Sequence, residues 1–178
     1  MEKEEHAIVL EYLPNGYPLE KKMMPIAQAI GENNLTLLEL VPRRGEALEI
    51  GEKVYIGEGK RDKIYYILGR LHREKLTETA KEQLQEFVVA IVKNKEKEFI
   101  GFFNSSEAMN KRIHQIELLP GMGKKHMHEI LEQRKEKEFE SFEDMKNRIQ
   151  NLPDPEKAVE KRILQELTNL ERHNLFVK

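Results

Sequence analysis

Residues Leu118 to Lys125 read Leu-Leu-Pro-Gly-Met-Gly-Lys-Lys, placing two glycines around one apolar side chain, behind a proline and ahead of two lysines. Glycine permits the positive φ that a tight interhelical turn needs, and it adds no Cβ to hold a ligand away from the main chain. The first N–H groups of a helix beginning after such a turn have no intrahelical acceptor, and the helix dipole makes that end positive. Phosphate is the anion this arrangement fits best, with Lys124 and Lys125 supplying mobile charge beside it. Contact to backbone phosphate carries no base information, so the expected binding is independent of sequence. Gly121, Met122, Gly123, Lys124 and Lys125 are therefore the first candidate site. The alternative is a turn that only joins two packed helices.

A second group of cations, Arg43, Arg44, Lys60 and Arg61, falls in turn-like segments near Lys63 and Arg70, with Tyr55, Tyr65 and Tyr66 in or beside the neighbouring strands. Outward-facing aromatics among basic residues suit the stacking of single-stranded nucleic acid, although strand tyrosines also serve as ordinary packing. Other chemistry is thinly represented. His126 and His128 are two apart on a predicted helix and point to different faces, so no metal site is expected from them or from His114. Gly57 to Ile64 lacks the spacing of a phosphate-binding loop, and the chain contains neither a Gly-x-Ser-x-Gly elbow nor His-Glu-x-x-His. No catalytic residue, metal or cofactor is expected. The absence of cysteine excludes disulfides, thiolate zinc sites and cysteine nucleophiles.

The elements that must carry these residues change character along the chain. His6 to Leu13, Leu35 to Val41, Glu52 to Gly57 and Lys63 to Leu71 are β-branched or aromatic-rich and separated by turn-forming segments. Short strands without intervening helices suggest a closed or nearly closed small barrel, best described as OB-like. Tyr17 to Asn34 carries no clear element signal. Thr79 to Glu82 has capping-box form, and Leu84, Phe87, Val88, Ile91 and Val92 follow at helical spacing. A second apolar cluster at Phe99, Ile100, Phe102 and Phe103 ends at Asn104-Ser105-Ser106, which is expected to cap a helix from Glu107 to Leu118. A further helix bearing Met127, Ile130 and Leu131 would follow the glycine turn.

Shifting the sequence by 33 residues lays Ile116 to Leu131 over Ile149 to Leu164. Ile116 and Ile149, Leu119 and Leu152, Pro120 and Pro153, Lys124 and Lys157, Ile130 and Ile163, and Leu131 and Leu164 coincide. The second copy keeps these packing positions and has Asp154 and Glu156 in place of the glycines, which retains a hairpin and removes the anion site. Ser141 and the pair Asp154-Pro155 are the expected caps of its two helices.

The pattern Ile116, Leu119, Gly121, Met122, Gly123, Ile130 and Leu131 resembles the helix-hairpin-helix motif, with Met127 standing where that family usually has alanine. Two copies resemble a double helix-hairpin-helix domain. The β-rich first half together with RIHQIELLPGMGKKHMHEILEQRK, SFEDMKNRI and a terminal NLFVK resembles, over nearly the whole chain, an uncharacterised archaeal family of predicted nucleic-acid-binding proteins. That resemblance implies an OB-like domain, a helix-hairpin-helix domain, archaeal origin and RNA or DNA as ligand.

The expected fold is thus α+β in two domains: an OB-like barrel over residues 1–78, connecting helices over 79–104 and an all-α tandem helix-hairpin-helix domain over 105–178. A net charge of -2 gives no global attraction to nucleic acid, so binding must come from local patches. The start of the sequence lacks the features of a signal peptide and no apolar run is long enough to span a bilayer, which points to the cytoplasm. The expected function is sequence-independent nucleic-acid binding, RNA ahead of DNA, without catalysis. A protein-interaction adaptor with a purely structural hairpin is the alternative.

Overall fold

A computed structural model describes residues 3–178. It is an α+β structure in which five antiparallel strands form a curled half-barrel and five α-helices follow in the sequence. The chain divides into two compact units, one running to Phe87 and taking back Glu166–Lys178, the other Val88–Gln165.

In the first unit the strands are β1 (His6–Leu13), β2 (Ile26–Gly31), β3 (Leu37–Pro42), β4 (Lys53–Tyr55) and β5 (Ile64–Arg70), ordered β4-β1-β2-β3-β5. Among the described residues β4 pairs only with β1 and β5 only with β3, so the sheet stays open between them and is only loosely OB-like. Every residue of β2 is buried, because it is the central strand and is covered on both faces. Val9, Ala29, Leu40 and Ile64, from four strands, meet in one apolar cluster.

Along β5 the register slips twice. Glu39 faces Gly69 while Leu40 faces Ile67, and Val41 faces Tyr66 while Pro42 faces Ile64, leaving Leu68 and Tyr65 as extra residues without a partner on β3. A bulge of this kind re-aims the inserted side chain. Accordingly Leu68 and Tyr65 are 46% and 63% exposed on a strand whose end residue Ile64 is fully buried.

Glu11, Gln28 and Glu39 form one row across β1, β2 and β3. Gln28 is fully buried, and its amide nitrogen donates to the Lys75 carbonyl at 2.7 Å and to the Tyr17 hydroxyl at 3.2 Å. Its amide oxygen accepts from the Thr77 N–H at 3.1 Å. Tyr17 in turn donates to Glu39 at 2.8 Å, and burial pushes its phenol well above the ordinary range. This network fixes Thr77, whose hydroxyl accepts from the Ala80 N–H at 3.1 Å and so caps α1 (Glu78–Asn94). The helix therefore begins ahead of the expected capping box at Thr79.

The second unit holds α2 (Glu96–Ser105), α3 (Lys124–Glu136), α4 (Phe142–Arg148) and α5 (Pro155–Thr168) up to Gln165, but the expected helix from Glu107 to Leu118 is reduced to a 3-10 turn at Gln115–Leu118. Side-chain acceptors compete there for the backbone. The Asn110 carboxamide oxygen accepts from the N–H groups of Arg112 and Ile113, the Gln115 oxygen accepts from the Glu107 N–H, and Ala108 bridges to His114 as an isolated β-pair. Ser141 and Asp154 cap α4 and α5 as expected: the Ser141 hydroxyl accepts from the Asp144 N–H at 2.9 Å, and the Asp154 carboxylate from that of Glu156 at 3.0 Å.

The returning segment is held together by one of its own carboxylates and is tied to the strand-bearing part of the first unit at its last residue. Glu166 Oε1 accepts from the N–H groups of Leu175, Phe176 and Val177 at 2.9–3.1 Å, and the Lys178 N–H donates to the Asn34 carbonyl at 3.0 Å.

Candidate nucleic-acid interface

The turn that enters α3 is built on Leu119-Pro120-Gly121-Met122, closed by a hydrogen bond from the Met122 N–H to the Leu119 carbonyl at 3.1 Å. Proline in second place and glycine with φ +81° in third are the residues a type II turn requires. A Cβ on Gly121 would lie 3.8 Å from the ring of Pro153, in the corresponding turn of the second copy. Met122 points inward and is 4% exposed, which anchors the turn. Gly123 is the N-cap of α3 with an extended backbone, and nothing lies within 4 Å of where its Cβ would be.

Among the described residues no side chain caps α3, so the N–H groups of its first turn are left to solvent or a ligand. At α5 the Asp154 carboxylate takes the N–H groups of Glu156 and Lys157 itself. The packing positions of the two copies nevertheless agree, with Ile116, Ile149, Ile130 and Ile163 all buried. The two matching segments thus share buried positions and differ at the helix start.

Lys124 and Lys125 do not behave alike. Lys124 Nζ donates to the Arg112 carbonyl at 3.0 Å and lies 3.3 Å from the Glu117 carboxylate. Lys125 is exposed and has no ion-pair partner among the described residues. The fold also brings the loop bearing Lys111 and Arg112 against Lys124, a juxtaposition that the expected continuous helix hid. His126, in the first turn of α3, has an Nδ1 that is shielded from solvent and has no hydrogen-bond partner among the described residues.

The 3-10 turn leading into this site is fixed at both ends. His114 Nδ1 accepts from the Ile116 N–H at 3.1 Å, while the Glu117 carboxylate accepts from the His114 N–H at 2.8 Å. Burial, then the nearby Arg134 guanidinium, push the His114 imidazole below its ordinary pKa, with Glu117 pulling the other way. Glu117 is lowered, chiefly by the hydrogen bond from the His114 backbone and further by Lys124. Arg162, a buried residue of α5, donates to the Leu118 carbonyl at 3.4 Å.

In the half-barrel, Arg43 Nε donates to the Arg61 carbonyl at 2.7 Å, and Arg61 Nε donates to the Gly57 carbonyl at 2.8 Å. These bonds gather Arg43, Lys60 and Arg61. The Arg43–Glu46 turn, closed at 3.0 Å with Gly45 at φ +83°, puts Arg44 at its exposed corner. Lys3, Lys53, Lys63 and Lys75 each meet a carboxylate, whereas none of Arg43, Arg44, Lys60 and Arg61 has an ion-pair partner among the described residues. Of the three tyrosines, Tyr55 and Tyr66 are partly buried and Tyr65 is exposed. Among the described residues no three His, Asp or Glu side chains converge as a metal site, and no helix is long and apolar enough to cross a membrane.

The family model described as "Protein of unknown function (DUF655)" matches residues 3–178. The chain belongs to that family. It is 44% identical over 177 residues to the uncharacterized protein MJ0038 of Methanocaldococcus jannaschii, an alignment covering 98% of this chain and 80% of the relative. The crystal structure of Af1531 from Archaeoglobus fulgidus, attributed to the same family, superposes with a TM-score of 0.85 at 42% identity, covering 98% of this chain and all of the other.

Proposed function

We propose that this member of the family is a non-enzymatic, cytoplasmic nucleic-acid-binding protein that contacts phosphate without regard to sequence, with RNA ahead of DNA as its ligand. In this reading residues 1–78 act as an OB-like module, 79–104 connect, and 105–178 act as a tandem helix-hairpin-helix domain whose second hairpin is degenerate. The contacts are the backbone of Gly121 to Gly123, held by Met122, together with Lys124 and Lys125, and, in the half-barrel, Arg43, Arg44, Lys60 and Arg61. The observation that carries the proposal is the difference between two related helix starts: α3 has no side-chain cap, whereas α5 is capped by Asp154.

The test is titration of the full chain with single-stranded RNA, duplex RNA and duplex DNA at several salt concentrations. Salt-sensitive binding that does not depend on sequence is expected. Replacing Lys125 with alanine should make the slope of log affinity against log salt shallower by about 0.7 for a single strand or 0.9 for a DNA duplex, with a smaller effect from Lys124→Ala, since Lys124 is already paired. Replacing Lys157, beside Asp154, should do little. No salt-sensitive binding to any of the three ligands would defeat the proposal.

One observation favours a protein-interaction adaptor instead: Glu117 and the Arg112 carbonyl engage Lys124, as they would if the hairpin were purely structural. Recovery of one stoichiometric protein partner that survives nuclease treatment would favour that reading.

A further inference from the structure

Tyr65 is one of the two residues that the irregular pairing of β5 leaves without a partner on β3. The bulge carries its ring out of the sheet, where it is 63% exposed and meets Tyr66 edge to face at 5.3 Å. Beside it lies an open hollow of about 580 Å³ lined by Tyr12, Pro25, Pro42, Arg43 and Arg44, with Glu46 also on its wall. The hollow offers flat apolar surfaces next to Arg43 and Arg44, which have no ion-pair partner among the described residues. Glu46 is the acidic member of this lining, and its charge acts on Lys63.

We infer that this hollow binds an unpaired nucleobase of a single-stranded nucleic acid, with the base stacked on Tyr65 and the flanking phosphates held by Arg43 and Arg44. Every base has a π-face, so such a site is indifferent to sequence and selects for the unpaired state. A base inside a duplex has both faces covered by its neighbours. The inference rests on the proposed nucleic-acid binding and deepens it by naming the form of the ligand. A bulge next to a binding site is a recognised means of aiming one side chain, and here the displaced residue is aromatic and adjoins the Arg43–Glu46 turn.

The experiment uses the full chain and a short oligoribonucleotide carrying one 2-aminopurine, alone and annealed to its complement. The protein contains no tryptophan, which leaves the fluorescence of the probe base unobscured. Stacking should change the fluorescence of the single strand on binding, and the annealed form should bind more weakly. Tyr65→Ala should lower affinity for the single strand by about 5- to 150-fold, while Tyr65→Phe stays near wild type. Arg44→Ala, at an exposed turn corner, should weaken binding and reduce its salt slope by about 0.7.

Wild-type affinity in Tyr65→Ala, together with a loss in Lys125→Ala, would overturn the inference and leave the hairpin reading standing. Equal affinity for the annealed form would also overturn it. Displacement of the strand by polyglutamate as readily as by unlabelled RNA would assign the hollow to an acidic peptide. No salt-sensitive binding by the wild-type chain would remove both readings together.

Discussion

At Gly121 a φ of +81° places the backbone in the left-handed region, so alanine there should cost about 1–2 kcal/mol even though its Cβ would meet only ordinary contact at Pro153. Gly123 is extended and faces open space, so alanine should cost only about 0.5 kcal/mol as a poorer N-cap residue. Urea denaturation of the two variants should separate them in that order, and equal losses would refute the division of labour. His114 supplies a pH-dependent counterpart. Burial and Arg134 hold its folded pKa below the ordinary value of about 6.5, so between those values the unfolded chain binds more protons than the folded one. The stability this contributes is complete above about pH 6.5 and is lost as the pH falls toward the folded value, because a proton on Nδ1 ends its acceptance from the Ile116 N–H. His114→Asn can keep that cap without titrating. Thermal melts from pH 7.5 to 5 should show a shallower decline in the variant than in the wild type.

Gln28 joins two elements and the approach to a third, since it bonds to Lys75, Tyr17 and Thr77 from the central strand. Gln28→Ala should strand the buried partners it leaves behind, at a cost of about 2–4 kcal/mol measured by denaturant unfolding. A change below about 0.5 kcal/mol would show that water replaces it. The same residue explains why β2 escaped notice in the sequence. Ile26 to Gly31 is short, contains two alanines and a polar centre, and has no alternation because both faces are covered; only its neighbours make it a strand. β1 was legible from its branched residues, and α4 and α5 from Ser141 and Asp154-Pro155. The helix expected before the hairpin was lost to Asn110 and Gln115, whose carboxamides bond the local backbone in a way that apolar spacing at Met109, Ile113 and Ile116 cannot reveal. In the candidate site, the glycine turn was legible in the sequence, but the pairing of Lys124 and the bulge at Tyr65 depend on contacts across the fold.

For the whole molecule, 30 basic against 32 acidic residues give no long-range field to draw in a polyanion, so any affinity must come from cations left unpaired locally. If Arg43, Arg44, Lys60 and Arg61 each meet a phosphate, the half-barrel should contribute a slope of log affinity against log salt of about −3 for a short single strand. A measured slope near zero would show that those cations serve only the fold. The open sheet also bears on self-association. Its two outer strands offer unpaired backbone groups to a second copy, yet β4 is only three residues long and β5 is interrupted at Tyr65 and Leu68. A neighbouring chain extending the sheet along β5 would meet a broken ladder, the kind of irregularity that protects natural edge strands from aggregation. The bulge that exposes an aromatic ring thus also spoils that edge as a template for fibrils.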